Sequence, residues 1–504
     1  MTLRYDFSDV VIAPGRFLSI DLPWMAEDNG ASIIAQGRGG NTCWGPEAHK
    51  APWESHMEEL GKLSLSDAVR RARKNFAAMA ATYSLGAFND NFFKQAVMMT
   101  AVATGRPQYQ GYALLVFTLP YVLLAAPAGW AADRYPKRTV VIASKFLELL
   151  AMLFGAAGIV TGHWILIFAM LATMGIQATI FSPSLNGAIP ELYPASYVTR
   201  ANSFIKIAVT AAILAGTSLA GIALDRPGVG PLGYEMGRWT VAAVIVCVAL
   251  LGVAGSLGVP RRAAAAPGTL FPWSGPIDTL RTLRETGKDK LLAITIAANS
   301  FFWFIASLQL LLINTLGIDQ LKFSKTITSY LVGAELVGIA IGGLVIGRIS
   351  KGRRWYGVLW PSTFILGVLM VGVGLVPILP AHARIAVLFS ILAAMGISGG
   401  FFLVPAESFI QVRPDPERKG AVIAAANFGA FSGIILSSLV STLLNRPIPE
   451  APGSATVHPL VLPTLGFAIT GILTIVLSVW LAIIWYSSVS RRPPMVHKVI
   501  QWVR

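Results

Sequence analysis

The chain reads Gly129-Trp-Ala-Ala-Asp-Arg-Tyr-Pro-Lys-Arg138 where it turns between two long apolar runs. A second charged turn, Gly343-Leu-Val-Ile-Gly-Arg-Ile-Ser-Lys-Gly-Arg-Arg354, stands at the corresponding place in the second part of the chain. Each turn follows the second apolar run of its half. Such weak internal symmetry is the sequence sign of a transporter with two related halves and a binding site between them.

Around these turns, residues 76–486 divide into about twelve apolar runs of roughly 20 residues, the length at which a helix spans ~30 Å of hydrocarbon. A backbone in lipid must satisfy its own hydrogen bonds, so we expect each run to be a helix. Hydrophobic residues make up 54% of the chain and charged residues only 13%, which is unlike an ordinary soluble domain. The sequence therefore predicts an all-α membrane protein with about twelve transmembrane helices in two pseudo-symmetric six-helix bundles. The predicted spans, numbered 1 to 12, are 76–103, 111–132, 139–160, 164–187, 201–224, 238–259, 291–316, 326–347, 357–378, 384–411, 420–444 and 460–486.

Composition also divides the chain into segments. We expect a largely disordered cytoplasmic extension at 1–75, a first bundle at 76–259, a cytoplasmic linker loop at 260–290, a second bundle at 291–486 and a basic cytoplasmic tail at 487–504. The extension shows no sustained hydrophobic period, except that its end, 64–75, is a basic amphipathic stretch suited to the lipid headgroup surface. The linker suits one amphipathic helix. No cleavable signal peptide is visible. The alternative to a disordered extension is that the natural protein starts at Met57.

The net charge of +15 would suit nucleic acid, but the distribution of Lys and Arg argues against such a partner. Most of these residues lie before span 1, after spans 2, 8, 10 and 12, and between spans 6 and 7, whereas the alternate loops hold few. By the positive-inside rule this pattern places both termini in the cytoplasm. We therefore expect a multi-pass protein of the inner membrane.

Signs of a cofactor or of catalysis are absent from the sequence. The chain has two cysteines, Cys43 in the N-terminal segment and Cys247 inside an apolar run. Neither has a plausible partner, so the sequence suggests no disulfide framework or metal site. It contains no P-loop and no dinucleotide fingerprint. We expect no metal, no cofactor and no enzymatic activity.

Span 1 carries the strongest candidate site, in the stretch Leu85-Gly-Ala-Phe-Asn-Asp-Asn-Phe-Phe-Lys-Gln-Ala-Val97. Asp90 and Lys94 fall in the middle of the span, where an ionisable group costs roughly 2.5–3.5 kcal/mol on insertion scales and normally serves a function. The i,i+4 spacing puts both on one helix face, flanked by the amides of Asn89 and Asn91. Two interpretations remain: a polar binding face, or a self-neutralising pair that holds the helix to a neighbour.

Three further ionisable residues are candidates for the binding site. Glu148 lies in span 3, about two helical turns inside the nearer end of the span, and is expected to face a cavity. Lys206 lies in the first turns of span 5, where it either lines the cavity or snorkels to the surface. Glu335 lies in the middle of span 8 without a charged neighbour on its helix, which favours a functional role.

The first charged turn is similar to the signature loop of the major facilitator superfamily, Gly-x-x-x-Asp-Arg-x-Gly-Arg-Arg. It departs from that pattern at Pro136 and Lys137. The resemblance implies transport by alternating access between two halves. It also implies a cytoplasmic gate, in which Asp133 pairs with basic loop residues when that side is closed. The expected gate residues are Asp133, Arg134, Lys137, Arg138 and Arg348.

A narrower resemblance is to the bacterial lysophospholipid transporters, which occur alone or fused to an acyltransferase and acyl-carrier-protein synthetase. It covers residues 76–486 and departs from the family pattern at Ser182 and Phe302. The stretches that carry it are Phe88-Asn-Asp-Asn-Phe-Phe-Lys94, Phe181-Ser-Pro-Ser-Leu-Asn-Gly-Ala-Ile-Pro190, Asn299-Ser-Phe-Phe-Trp-Phe304 and Gly399-Gly-Phe-Phe-Leu-Val-Pro405.

This resemblance implies a lysophospholipid or another amphiphilic small molecule as substrate, besides the membrane lipid itself. Asp90, Glu148 or Glu335 would bind an ethanolamine ammonium, and Lys94 or Lys206 the phosphate. It further implies a monomer, with an acyltransferase/acyl-carrier-protein synthetase as a partner. The His-x-x-x-x-Asp pair of such acyltransferases does not occur in this chain. The alternative function is proton-coupled export of a drug or small metabolite, with Asp90 or Glu335 as the proton site.

Overall fold

The computed structural model describes residues 65–188, 192–193, 195–261, 263–264, 266–349, 355–415, 418–449 and 457–490. The predictions for residues 1–64, including a start at Met57, and for the tail at 491–504 lie outside the described residues. The α-helices are α1 Leu65–Ala103, α2 Tyr109–Leu123, α3 Ala125–Arg134, α4 Lys137–Thr161, α5 Trp164–Ala188, α6 Ala195–Leu224, α7 Met236–Ser256, α8 Gly275–Thr286, α9 Lys290–Thr315, α10 Lys325–Ile349, α11 Leu359–Gly374, α12 Ala381–Val412, α13 Lys419–Leu444 and α14 Pro463–Ser490. A short hairpin pairs β1, Pro447–Pro449, antiparallel with β2, Val457–Pro459.

Span 2 is divided between α2 and α3, which meet at an angle of 55°. The break lies at Leu124. Pro127, three residues later, has no N–H to donate to the carbonyl of Leu123, and its ring would clash with that carbonyl in a continuous helix. The bend therefore has a local cause in the sequence.

Within the described residues, ten helices are long and apolar enough to cross a membrane, or eleven if the bent pair counts as one span. Helix α1 is long enough but not apolar enough to be counted, because polar and charged side chains interrupt it. It nevertheless packs against α6 and α7 within the first half. Helix α1 runs without a break for 39 residues, from Leu65 to Ala103, or about 58 Å at 1.5 Å per residue. The basic stretch before span 1 is thus the first part of the same helix.

Each half has its own apolar core. The first half packs Phe92, Phe93, Met152, Met170 and Ile245 with their neighbours. The second half has a separate core, with Ile305, Leu312, Met370, Leu392 and Phe467 among its members. A smaller buried cluster of Met98, Leu114 and Leu311 joins the two halves.

Close packing of α10 on α12 depends on glycine. A Cβ at Gly338 would strike the carbonyl of Ala393, and one at Gly342 would strike the carbonyl of Ile397. Small residues spaced four apart let two membrane helices approach this closely. The glycine stripe of span 8 is therefore a packing surface.

Asp289 is the N-cap of α9, the first long helix of the second half. Its Oδ1 accepts hydrogen bonds from the backbone N–H groups of Leu291 and Leu292, both at 3.2 Å, and its Oδ2 lies 2.7 Å from Nε of Arg413. Partial burial by itself raises the pKa of Asp289, but these hydrogen bonds outweigh it and hold the pKa below its ordinary value. The carboxylate therefore joins α9 to the end of α12 at neutral pH, and this contribution is lost as the pH falls through the lowered pKa.

Candidate functional site

Asp90 and Lys94 are both partly exposed on α1, but they do not form an ion pair with each other in the part of the chain that the structure describes. The ammonium of Lys94 lies 4.3 Å from the ring centre of Phe117 on α2, a cation–π distance. Oδ1 of Asp90 is buried and has no hydrogen-bond partner among the described residues. The side chain of Asn91 donates to the carbonyl of Ala87 on its own helix. Oδ1 of Asn89 is likewise buried without a partner among the described residues, so Asp90 is the charged member of this group with unused hydrogen-bonding capacity.

Behind Asp90 lies a buried polar cluster inside the first half. Nζ of Lys145 is 2.6 Å from Oε2 of Glu148, and the two side chains are 0% and 1% exposed. Asn89 donates to Oε1 of Glu148 at 3.4 Å and to the carbonyl of Ile245 at 3.2 Å. Gln177 donates to Glu148 at 3.4 Å. Lys145 therefore does not reach the surface, and the cluster joins α1, α4, α5 and α7.

Glycine makes room for this cluster. A Cβ at Gly86 on α1 would lie 2.6 Å from Nζ of Lys145, and one at Gly252 on α7 would lie 3.7 Å from it. Asp90 lies within electrostatic range of Glu148, Lys94 and Lys145. The fold therefore brings these two charged residues of α1 near these two charged residues of α4, and no spacing in the sequence indicates that these two pairs meet.

The second half contains a cavity of about 300 Å³ between α9, α12 and α13. Asn299, Trp303, Glu407, Asn427 and Phe431 are among its lining residues. Of the aromatic run at 301–304 in span 7, Trp303 is the residue on this lining. The cavity is mainly apolar, with polar groups at a few positions, as expected of a site for an amphiphile.

An aromatic contact joins this cavity to Asp90. The ring of Phe431 stacks on Tyr121 of α2, with centroids 4.6 Å apart and planes inclined by 23°. Tyr121 is in turn within electrostatic range of Asp90. The cavity lining thus extends to an aromatic pair that joins the two halves, and Asp90 acts electrostatically on Tyr121 of that pair.

The remaining candidates lie apart from this cluster. Lys206 is exposed on α6 and lies within electrostatic range of Glu407, in the other half. Glu335 is only 7% exposed, and no charged side chain of the described chain acts on it. The structure therefore connects Lys206 with the cavity lining and leaves Glu335 isolated between α10 and α12.

A polar network that no sequence pattern had indicated joins the halves. Gln95 of α1 donates to Asn314 of α9 at 2.8 Å, and Asn314 donates to Gln110 of α2 at 3.1 Å. Gln110 also donates to Thr315 at 3.0 Å. All four side chains are buried. Their only signal in the sequence is that each is a polar residue near the end of an apolar run.

Asp225 makes a second contact between the halves. From the end of α6, its Oδ2 accepts from the backbone N–H and the hydroxyl of Thr326, at 2.7 and 2.8 Å. Its Oδ1 lies 3.5 Å from Nζ of Lys325. Asp225 therefore caps the N-terminus of α10 from the opposite half, where a carboxylate satisfies the free N–H groups and the helix dipole. Together with the amide network, this contact closes the molecule at the end opposite the basic turns, called the closed end below.

The expected gate lies at the other end of the molecule. Asp133 and Arg348 are exposed. Arg134 donates to the carbonyl of Thr269 in the linker at 2.8 Å, and Arg138 donates to the carbonyl of Leu257 at 3.0 Å. The basic side chains of the first turn thus hold the linker and the end of α7 in this state.

Gly221→Leu is expected to open the closed end. A Cβ at Gly221 of α6 would strike the backbone carbonyl of Lys325 in the other half, and backbone cannot move aside as a flexible side chain can. The accessibility of a cysteine at residue 95 to a thiol reagent should rise. The matched control is Gly347→Leu on α10, where a Cβ meets open space. Equal accessibility in both variants would contradict the contact.

Comparison with known proteins agrees with this architecture. Residues 75–438 match the family model described as Major Facilitator Superfamily. The lysophospholipid transporter LplT of Escherichia coli O1:K1 / APEC is 26% identical over 391 residues, which cover 75% of this chain and 91% of that protein. LplT of Shigella boydii serotype 18 (strain CDC 3083-94 / BS512) matches with the same identity of 26% and the same coverage.

Solved structures share the fold at lower sequence identity. A bacterial homologue of the iron transporter ferroportin in an inward-facing state superposes with a TM-score of 0.60 at 16% identity, covering 84% of this chain and 99% of that chain. A D-xylose-proton symporter gives a TM-score of 0.61 at 13% identity, covering 81% and 96%. The predicted all-α fold with two helical halves is confirmed.

Proposed function

The chain belongs to the major facilitator superfamily, and from this premise we propose that it moves a lysophospholipid, such as lysophosphatidylethanolamine, across the bilayer by alternating access. The observation that carries the proposal is the juxtaposition of the unpartnered Asp90 carboxylate with the aromatic-lined cavity beyond Tyr121 and Phe431. An amphiphile needs both a polar contact for its head-group and an apolar space for its chain. The similarity to LplT supports the same substrate class.

We propose distinct roles for the charged residues. Asp90 binds the ethanolamine ammonium, since its free oxygen lacks a partner within the described chain. Lys94 and Lys206 bind the phosphate. Glu148 acts indirectly, because Lys145, Asn89 and Gln177 already occupy its oxygens; it holds Asn89, and through it the turn of α1 that carries Asp90. Asn91 adds polarity beside the site.

The test is uptake of labelled lysophosphatidylethanolamine into proteoliposomes that contain the purified protein. Uptake that exceeds empty liposomes and is competed by unlabelled lysophospholipid supports the proposal. A protein that is folded by thermal melting yet shows no uptake and no competition would refute this substrate class. Transport of this kind, without chemical conversion of the lipid, would also support the absence of enzymatic activity.

One observation favours the alternative function. Glu335 is a buried carboxylate on which no charged group of the described chain acts, and such a group can carry a proton across the membrane. Proton-coupled export of a small molecule would then depend on a pH gradient and would be lost in Glu335→Gln. Lysophospholipid uptake that is unaffected by the gradient and by this substitution would reject it.

We propose that the protein lies in the inner membrane with both termini in the cytoplasm, so that the closed end faces outward. The motivation is the concentration of Lys and Arg at the opposite end. Asp319 lies beside the closed end, between α9 and α10. A cysteine there should react with a membrane-impermeant thiol reagent added to intact cells, and labelling only after lysis would reverse the orientation.

We also propose that the protein acts as a monomer and that an acyltransferase/acyl-carrier-protein synthetase re-acylates its product, which co-purification of the two proteins would test.

Asp133→Asn is expected to shift the equilibrium between the two transport states. We propose that Asp133 pairs with basic residues of its turn, Arg134, Lys137 or Arg138, or with Arg348, when the gate end closes. Removing its charge should change the equilibrium by about 1–3 kcal/mol, the usual size of a coupling free energy. The measurement is the reactivity of cysteines at the two ends of the molecule. Unchanged reactivity and unchanged transport in the folded variant would count against a gating role.

A further inference from the structure

The linker helix α8 has one packed face and one uncovered face. Gly275 lies against Ala126 of α3, and Leu283 packs in an apolar cluster with residues of α9, α12 and α13. On the other side, Trp273 is 88% exposed, Ile277 69% and Leu280 54%. Ile277 and Leu280 recur at the spacing of one helix face, and Trp273 lies in the turn just before the helix. Leu270, just before the helix, is 87% exposed.

The contacts of α8 show where this helix lies in the molecule. Its packed face contacts α3 of the first half and α13 of the second, so α8 lies over the seam between the halves at the gate end. Ala126 is eight residues before the Arg134 end of α3, or about 12 Å along that helix. The start of α8 therefore packs beside α3, one member of the bent helix pair, and its uncovered face is turned away from α3 and α13.

Along the uncovered face, apolar residues are followed by basic residues, in the same order as the acyl chains and headgroups of a lipid leaflet. The apolar residues lie at the start of the uncovered face, and Arg281 and Arg284 follow on the same face toward the end of the helix, with Lys288 just beyond. The opposite charge at that end, Glu285, is already paired with Arg418 at 2.6 Å. An apolar segment with tryptophan that ends in exposed basic side chains matches acyl chains followed by anionic headgroups.

We propose that α8 is an interfacial membrane helix that seals the seam between α3 and α13. Leu270, Trp273, Ile277 and Leu280 insert among the acyl chains of the leaflet at the gate end, and Arg281 and Arg284 bind anionic headgroups. The helix is also tied to the gate, because Trp130 and Arg134 both donate to the carbonyl of Thr269, at 3.0 and 2.8 Å. Lipid at this surface therefore acts on the same turn that we propose as the gate, whatever the transported substrate is.

The experiment places an environment-sensitive fluorophore on a cysteine at residue 277, in full-length protein whose native cysteines are replaced by serine, reconstituted in vesicles of phosphatidylethanolamine and phosphatidylglycerol. We expect blue-shifted emission, quenching by lipids with a nitroxide in the acyl chain, and a depth of about 5–10 Å below the headgroups. The matched control is a label at residue 288, which should be quenched by aqueous iodide instead. Iodide quenching at 277, or protection of 277 from both quenchers by a second copy or another protein, would overturn the proposal.

The headgroup contact has its own test. In the double variant Arg281→Gln, Arg284→Gln, or in vesicles without anionic lipid, quenching of the 277 label by the acyl-chain nitroxide should fall, because the helix loses its attraction to the surface. The substituted side chains are exposed, so folding is retained and is checked by thermal melting. Unchanged quenching in both conditions would overturn the role of the two arginines.

Discussion

Asp90→Asn is expected to abolish lysophospholipid transport while the protein remains folded. The substitution keeps the shape of the side chain and removes only its charge. Because Oδ1 of Asp90 has no partner among the described residues, folding loses no hydrogen bond. A substrate ammonium would lose a charged hydrogen bond worth about 1.5–3 kcal/mol, which corresponds to a roughly 10- to 140-fold loss of affinity. Uptake into proteoliposomes and thermal melting measure the two effects separately.

A double substitution distinguishes this binding role from a structural ion pair. If Asp90 and Lys94 stabilise the fold as a pair, each single variant is destabilised, and Asp90→Asn with Lys94→Met recovers because no unpaired charge remains. Recovery of both stability and uptake in the double variant would reject the binding role. Stable protein without uptake supports it. Asn91→Ala is a matched control on the same helix turn, since its side chain bonds to its own helix.

Glu148→Leu is expected to destabilise the protein by about 3–5 kcal/mol, the cost of leaving one partner of a buried ion pair without the other. The variant leaves the ammonium of Lys145 unpaired in a site that is 0% exposed, and it also removes acceptors from Asn89 and Gln177. A large drop in the thermal melting temperature should follow. Adding Lys145→Met should restore much of the loss, since the site then contains no charge.

An exposed ion pair provides the matched control for this prediction. Glu235 pairs with Arg238 at 3.2 Å, with the two side chains 72% and 23% exposed. Glu235→Gln should change the stability by less than about 1 kcal/mol, as is usual for surface pairs. If Glu148→Leu melts no lower than Glu235→Gln, the buried cluster does not stabilise the first half.

Much of this fold follows from local features of the sequence. The apolar runs had to be about 20 residues long to cross the hydrocarbon, so hydropathy alone located the helices that carry them. Pro127 accounts for the break between α2 and α3 within a few residues of itself. The charged turn at Gly129–Arg138, together with the apolar runs and the similarity of the two halves, indicated the superfamily. These signals can be read from sequence because the bilayer imposes them on each segment separately.

The partners of the polar groups depended on the tertiary structure. The i,i+4 spacing suggested that Asp90 would meet Lys94, but Phe117 on another helix takes the ammonium. Lys145, near the end of its span, turns inward beside Glu148, where the absence of a side chain at Gly86 leaves space for its ammonium. Nothing in the sequence around Asp225 indicates that its carboxylate caps the start of α10. Gln95 forms its hydrogen bond with a residue 219 positions away. A polar group in a membrane binds whichever donor or acceptor the packing of distant helices brings near it, and hydropathy contains no information about that packing.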